Sequence, residues 1–277
     1  MRTYEPKLFV TFENECQQAM EIKKHIAFTG GHDKGDKHGQ GTELTEAGDF
    51  YQGGWQKGLR HGSGICFYAD GTVYKGGWFE GKWTPGPTFG MTKTPAGEIL
   101  LGQFTGERGS LKDMTHCQIK YLSGDVYSGL TYRGKKQARG TYYYSNGDVY
   151  EGEWEENHRS GKGQLTLKNG SHCKGEFLED AFVSGLFTDV NGNLYRNVPD
   201  HTEKPGVFRN GRLFGWGKVN FTDGGAYEGE FKDGKRSGHG VMKQVIGSDG
   251  REEIGEYRGQ WRYNLRHGRG DMVWTSD

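Results

Sequence analysis

The chain has 277 residues, only 32 % of them hydrophobic, and a mean hydropathy of −0.87, which excludes a deep multilayer core. Its 36 basic and 36 acidic residues cancel. That excludes a general nucleic-acid binder, which needs a basic excess to neutralise phosphates. Yet 49 glycines stand beside 15 Tyr, 15 Phe and 7 Trp, too many rings for a disordered chain, so the class is an ordered, shallow, repetitive β protein.

Residues 1–27 read as an N-terminal cap or tail. KLFVTF (7–12) has the character of a lead-in strand, and NECQQAMEIKKHI (14–26) that of a short helix. Asn14 is a candidate N-cap with Gln17 three residues on. Ala19, Ile22 and Ile26 would share a helix face and cap the first edge of a sheet. The N-terminus lacks a signal peptide's hydrophobic stretch, and no apolar run reaches membrane-spanning length. Cys16, Cys66, Cys117 and Cys173 are widely separated, which favours reduced thiols in a cytoplasmic protein over a disulfide framework.

From residue 28 a pattern recurs: aromatic-x-Gly-x-aromatic, then Gly-x-Gly. It is clearest at Tyr51 (YQGGWQKGLRHGSG), Tyr150 (YEGEWEENHRSGKG), Tyr227 (YEGEFKDGKRSGHG) and Tyr257 (YRGQWRYNLRHGRG). Phe28 begins a copy without the second aromatic, and weaker copies start at Tyr74, Leu100, Tyr127, Cys173 and Lys204. Five of the nine intervals between starts are 23 residues, and the longer ones mark insertions around 82–99, 107–120, 195–203 and 244–256. Such self-similarity decides the fold.

Tyr51, Gly53 and Trp55 are two apart and share one face of a strand. The second strand of each repeat alternates likewise, as in Cys66/Tyr68, Tyr142/Tyr144, Leu165/Leu167, Val219/Phe221 and Met272/Trp274. Asp70-Gly71, Asn146-Gly147 and Asn169-Gly170 suit tight hairpins through positive φ, and Lys57-Gly58 and Asp233-Gly234 occupy the other connection. The glycine between two rings clears space for an aromatic side chain over the backbone. The expected fold is all-β: an elongated, single-layer antiparallel β-meander of about ten repeats over 28–277, two strands each, behind a short N-terminal strand or helix cap. It should advance about 9.6 Å per repeat, with stability dominated by neighbour contacts.

Period and residues together resemble the MORN repeat family. That resemblance implies a β-sheet solenoid and a non-catalytic organiser, often of the cytoskeleton, with several members in cilia and flagella, including the radial spokes of axonemes. It also implies two alternatives: phosphoinositide or anionic-membrane binding, and a regulatory repeat region attached to an enzyme. The last copy reaches MVWTSD short of its expected glycine, which leaves open whether the chain is part of a longer one.

No catalytic, metal or cofactor constellation emerges. The Gly-x-Gly pairs lack the Gly-Lys-Ser/Thr and strand–loop–helix context of a phosphate loop. His38, His61 and His267 recur at one repeat position, about 10 Å apart in adjacent repeats, too far to share a metal. Cys66 and Cys173 fall at apolar positions and read as buried thiols. Glu151, Glu153 and Glu155 alternate on a solvated face.

The leading expectation is therefore a scaffold that seats a peptide or helix of a cytoskeletal or axonemal partner on its aromatic face. Its candidate contacts are Trp55, Tyr68, Tyr74, Trp78, Tyr142, Tyr144, Tyr150, Trp154, Phe221 and Trp261, some of them equally explained as core. Arg258, Arg262, Arg266 and Arg269 would carry anionic-lipid binding; Lys57, Arg60, Lys135, Lys136 and Arg139 mark further basic patches. Edge strands pairing between copies would give an end-to-end homodimer.

Overall fold

The computed structural model describes residues 6–22, 28–84, 90–105, 110–111, 115–198, 201–209, 211–248 and 251–276. The chain divides into two compact units, Met1–Ser145 and Asn146–Asp277, and each is an open antiparallel meander, the all-β class that the repeats imply.

The first unit holds α1 (Pro6–Ile22), β1 (Phe28–Asp33), β2 (Asp36–Leu44), β3 (Phe50–Gln56), β4 (Leu59–Phe67), β5 (Val73–Phe79), β6 (Lys82–Thr84), β7 (Gly90–Lys93), β8 (Ile99–Gly102), β9 (Phe104–Thr105), β10 (Ser110–Leu111), β11 (His116–Lys120), β12 (Val126–Tyr132) and β13 (Lys135–Tyr143). In the Tyr74 repeat the second strand is split: β6 pairs with the end of β5 and β7 with its start. Next, β8 pairs with β11, while β9 and β10 form a small hairpin of their own.

The second unit holds β14 (Val149–Glu155), β15 (His158–Thr166), β16 (His172–Leu178), β17 (Ala181–Thr188), β18 (Leu194–Asn197), β19 (Val207–Arg209), β20 (Arg212–Asn220), β21 (Ala226–Lys232), β22 (Lys235–Ser248), β23 (Arg251–Arg262) and β24 (Leu265–Ser276). The repeat placed at Lys204 starts instead at β18, where Tyr195 pairs with Val219 and Asn197 with Gly217. Asn197 stands at the glycine position and is buried. Its Nδ2 donates to the carbonyls of Val183 and Gly206, and its Oδ1 accepts from the Gly185 amide. Phe208, on the displaced β19, supplies the second ring against Phe182 at 4.9 Å. The lengthening around 244–256 is a longer hairpin, with β22 and β23 paired out to Ser248 and Arg251.

A glycine ladder crosses each sheet. Gly30, Gly41, Gly53, Gly64 and Gly76 are successive partners in the first unit. Gly152, Gly163, Gly175 and Gly185, then Gly217, Gly229, Gly240, Gly259 and Gly270, are partners in the second. A Cβ on Gly53 would lie 2.5 Å from Tyr51 Oη and 2.6 Å from Gly64 Cα. The ring that needs the space is the tyrosine two residues earlier, lying flat over its own strand and the next.

That tyrosine also pins an irregularity. The register shifts just after the glycine in β3, β12, β14, β21 and β23. The hydroxyl donates to the carbonyl three residues on: Tyr51 to Gly54 at 3.0 Å, Tyr150 to Glu153 at 3.0 Å, Tyr227 to Glu230 at 3.1 Å. The bulge thereby keeps a partner for a carbonyl the ladder leaves out. Tyr150→Phe should cost about 0.5–1.5 kcal/mol, the loss of one part-buried hydrogen bond to the Glu153 carbonyl, read by urea denaturation.

The two rows of turns are built differently. Lys57-Gly58, Glu80-Gly81, Glu156-Asn157 and Asp233-Gly234 carry positive φ at both residues, the two-residue turns whose twist matches the strands. At Asp70-Gly71, Asn146-Gly147 and Asn169-Gly170 only the glycine is left-handed. The polar residue there closes the turn through its side chain, as Asp70 Oδ1 accepts from Thr72 N at 2.9 Å, so the expected positive φ belongs to one residue of each pair. These turns are stitched between repeats: Asp49 accepts from Ala69 N at 2.9 Å, Asp125 from Ser145 N at 2.7 Å and Asp148 from Lys168 N at 2.8 Å.

At the N-terminus the lead-in strand is replaced by helix. Residues 7–12 belong to α1, which starts at Pro6, so Asn14 lies inside the helix rather than at its cap. Phe9, Phe12 and Cys16 fall at i, i+3 and i+7 and form one buried face; that spacing outweighs the local β character of LFVTF. Ile26 falls outside the described residues, as do the side chains of Ala19 and Ile22. The helix covers a face of the sheet, not its first edge: it packs on Phe50, Phe67, Val73 and Ile99, opposite the rings of Tyr51, Tyr74 and Trp78. Glu15 pairs with Lys75 at 2.5 Å and Glu13 with Lys120 at 3.1 Å. Phe12→Ala should cost about 3–5 kcal/mol and lower the first thermal transition, whereas Lys120→Ala, at a half-exposed pair, should cost under about 1 kcal/mol.

Candidate functional site

The aromatic face has two zones. In the lower zone the repeat tyrosine and the ring four residues on interlock edge-to-face: Tyr51–Trp55 at 5.2 Å, Tyr150–Trp154 at 5.2 Å and Tyr257–Trp261 at 5.3 Å. Tyr51, Tyr150 and Tyr227 also meet the second ring of the following repeat: Tyr51–Trp78 at 5.1 Å, Tyr150–Phe177 at 5.0 Å and Tyr227–Trp261 at 5.3 Å. The indoles donate back to a glycine carbonyl, Trp55 to Gly41 and Trp261 to Gly240, both at 3.3 Å.

An arginine nine residues after Tyr51, Tyr150 and Tyr227 closes this zone. Arg60 lies 5.0 Å from the Tyr51 ring and 5.4 Å from Trp78; Arg159 lies 5.6 Å from both Tyr150 and Phe177; Arg236 lies 4.7 Å from Trp261. Burial holds the Arg236 guanidinium below its usual range, because the charge has lost solvent. Each cation spans two repeats over ring faces. This role of Arg60 is not apparent from charge counting, which places it in a surface patch; the fixed offset from tyrosine was the available signal.

Of the ten aromatic candidates, Trp55, Tyr68, Tyr74, Trp78, Tyr150, Trp154 and Trp261 are at most 6 % exposed. As contacts for a partner these seven are corrected to core: neighbouring rings, the arginines and the glycine backbone already cover them. Trp83, which the spacing did not mark, joins them, stacked at 3.9 Å on Tyr74 and donating to Tyr68 Oη at 2.8 Å.

The remaining three, Tyr142, Tyr144 and Phe221, are half-buried and belong to the upper zone, near the Asp-Gly turns. In the first unit Tyr142 sits 4.6 Å from Tyr144 and 5.8 Å from Tyr121, with Lys136 4.6 Å over its ring. The Tyr142 hydroxyl donates to Asp125 Oδ2 at 2.9 Å. In the second unit the same level holds half-buried Leu165, Leu167, Phe187, Tyr195 and Phe221; Phe187 and Tyr195 are 5.9 Å apart and the Tyr195 hydroxyl donates to Asp189 at 3.3 Å. Rigid strands thus present tyrosine and aliphatic edges with their polar groups already oriented.

Asp125 is electrostatically committed. Burial alone would raise its pKa, but the Ser145 amide and the Tyr142 and Ser123 hydroxyls hold the carboxyl below its usual range. Asp189 is lowered in the same way by Asn193, Asn191 and Tyr195. A depressed folded pKa stabilises the protein above the unfolded value of about 3.9 and is lost as pH falls through the folded one. Thermal stability should therefore drop from pH 5 toward pH 2, and Asp125→Asn should flatten that drop for the first unit.

The four arginines do not form one patch. On β23, Arg258 and Arg262 alternate with Tyr257 and Trp261 and face away from the rings. Asp271 stands opposite Arg258, and Glu256 pairs with it. Arg266 pairs with Trp261 in register, lies 4.7 Å over the Tyr257 ring and donates to Gln244 Oε1 at 2.9 Å. Arg269 is exposed beside Gly270.

Among the described residues no group of His, Cys, Asp and Glu could hold a metal, and no helix is long and apolar enough to cross a membrane. His38 and His267 are exposed, while His61 packs at 5.2 Å on Phe79. The four cysteines are buried free thiols; burial pushes Cys16 and Cys117 up to about 11, which leaves them un-ionised and poorly nucleophilic.

Five stretches, residues 51–73, 127–149, 150–172, 227–248 and 257–277, match the family model described as the MORN repeat. The repeat is a non-enzymatic interaction module. Similar solved structures include the SAS-4 (dCPAP) TCP domain of Drosophila melanogaster in complex with a proline-rich motif of Ana2 (dSTIL). It is 14 % identical, with a TM-score of 0.37 over 69 % of this chain and 88 % of that one. A point mutant of the TCP10 domain of Danio rerio CPAP is 12 % identical, with a TM-score of 0.26 over 74 % of this chain and 82 % of that one. No curated protein matches the chain.

Proposed function

We propose that these MORN repeats form a non-catalytic binding array that holds an extended or helical protein segment along the upper zone of the aromatic face. The observation that carries this reading is the division of that face. The lower rings are buried, Tyr51 and Tyr150 under arginine, whereas Tyr121, Tyr142 and Tyr144, and separately Leu165, Leu167, Phe187 and Tyr195, remain half-open. Rigid tyrosines lose little side-chain entropy on binding and pair apolar area with a polar tip. A membrane-surface reading needs an uncompensated arginine patch, whereas Arg258 is paired with Glu256 and stands opposite Asp271, and Arg266 is held over Tyr257 and by Gln244. The resemblance to cytoskeletal organisers makes a ciliary axoneme the first assembly in which to seek the partner.

The test is a quantitative pull-down from ciliated-cell extract at moderate salt, comparing wild type with Tyr142→Ala/Tyr144→Ala. The variant should keep its melting temperature within a few degrees and lose specific proteins at least tenfold. Identical protein sets on both baits would overturn the reading.

A further inference from the structure

The face of the sheet opposite the rings carries a helix in the first unit and an exposed basic row in the second. In the first unit Ile65, Lys75, Met91 and Leu101 stand side by side on β4, β5, β7 and β8. The three apolar residues pack against the cluster that α1 completes, and Glu15 of that helix pairs with Lys75. Lys75 follows Tyr74, which opens its repeat. The same position holds Lys174 after Cys173 and Arg196 after Tyr195. In register they form the row Lys174–Leu186–Arg196–Lys218 across β16, β17, β18 and β20. The three cations are exposed and Leu186 between them is half-buried. Leu194, on the same face two residues before Arg196, is 39 % exposed. Lys218 pairs with Glu228 at 2.9 Å, but among the described residues no acidic side chain meets Lys174 or Arg196. Arg196 directly opposite Lys218 is a like-charge cross-strand pair, which destabilises a sheet unless an anionic group relieves it.

We propose that this row docks an acidic amphipathic helix of a partner protein, seated on Leu186 and Leu194 as α1 is seated on its own apolar row, with carboxylates on Lys174 and Arg196. The site lies on the other face from the aromatic zone and does not depend on that zone's function. Lys174 and Arg196 are two strands apart, about 10 Å, which is about seven residues along a helix laid across the strands. Carboxylates at that spacing share one flank of the helix and leave an apolar stripe beside them. The seat is shallower than the one under α1. Phe67 and Val73 are cross-strand partners there, and Thr188 and Leu194 hold those positions in the second unit. The docked helix is therefore exchangeable, where α1 is built in.

Fluorescence anisotropy of a labelled peptide titrated with the whole chain tests this. The probe is about 20 residues long, enough to be helical in isolation, with a leucine stripe at i, i+3 and i+7 flanked by glutamates. It should bind saturably with a Kd below about 100 µM, and a counterpart with glutamine for glutamate should bind at least tenfold more weakly. Lys174→Glu/Arg196→Glu should also bind the probe at least tenfold more weakly, and should bind instead a counterpart with lysine for glutamate. That recovery shows the variant is folded. Leu194→Asn, at an exposed position, should weaken the probe at least threefold. Tyr142→Ala/Tyr144→Ala should bind it as wild type does, which separates this site from the aromatic zone. A wild type that does not bind the probe overturns the proposal, as do glutamate and glutamine peptides that bind alike. So does Leu194→Asn without effect, which would leave a charged surface with no helix seat. Phosphatidylserine vesicles bound by wild type and lost by the charge variant, with no peptide bound, would assign the row to a lipid surface and equally overturn it.

Discussion

Gly163→Val unfolds the second unit. A single Cβ at Gly163 would already lie 2.6 Å from Tyr150 Cε2, 2.7 Å from its Cζ, and against its hydroxyl. The ring has no route of escape. It is fully buried, packed edge-on against Trp154 and Phe177, covered by Arg159, and tied through its hydroxyl to the Glu153 carbonyl. Overpacking in a core that can relax costs about 1–3 kcal/mol. Here relaxation means expelling a tyrosine and its hydrogen bond together, so the loss should exceed about 3 kcal/mol. Loss of near-UV circular dichroism at 25 °C, or a fall of at least 15 °C in melting temperature, would show it. A change of under about 1 kcal/mol would mean the tyrosine does not need the glycine.

Trp154→Ala carries the second large effect, about 3–5 kcal/mol. The indole is 4 % exposed, and its removal strips the edge contact from Tyr150. Urea denaturation gives the figure directly. The comparison with Tyr144→Ala matters more than either number. Both residues belong to the repeated aromatic pattern, yet Tyr144 is half-open and should cost under about 1.5 kcal/mol. Binding lost in Trp154→Ala would follow unfolding; binding lost in Tyr144→Ala would report contact.

These positions also show what the sequence carries openly and what it hides. Period-2 alternation and glycine spacing are local properties, so the meander, the paired strands and the aromatic face are legible from Tyr51, Gly53 and Trp55 alone. Burial within that face is not local. It depends on which side chains of other strands fold over the ring, as Lys37 and Phe28 do at Trp55, which is why Trp55 and Tyr144 look alike in the sequence and differ in the fold. The repeat at Tyr195 was obscured because asparagine replaces its glycine and an insertion separates its second ring, Phe208. The helix at Pro6–Ile22 was obscured because LFVTF is β-like by residue type, while its Phe9, Phe12 and Cys16 spacing satisfies a face of the sheet that only tertiary packing creates.

The most direct measurement is site-specific photo-crosslinking at two adjacent residues of β13 in the intact chain. Tyr144 lies on the aromatic side; Tyr143, opposite Val126, lies on the other. A photoreactive phenylalanine analogue at 144 should capture a defined protein from ciliated-cell extract, competed by unlabelled wild-type chain, while the same analogue at 143 should capture at least tenfold less. Equal capture at both positions, or capture at 143 alone, would contradict a partner seated on the half-open aromatic zone.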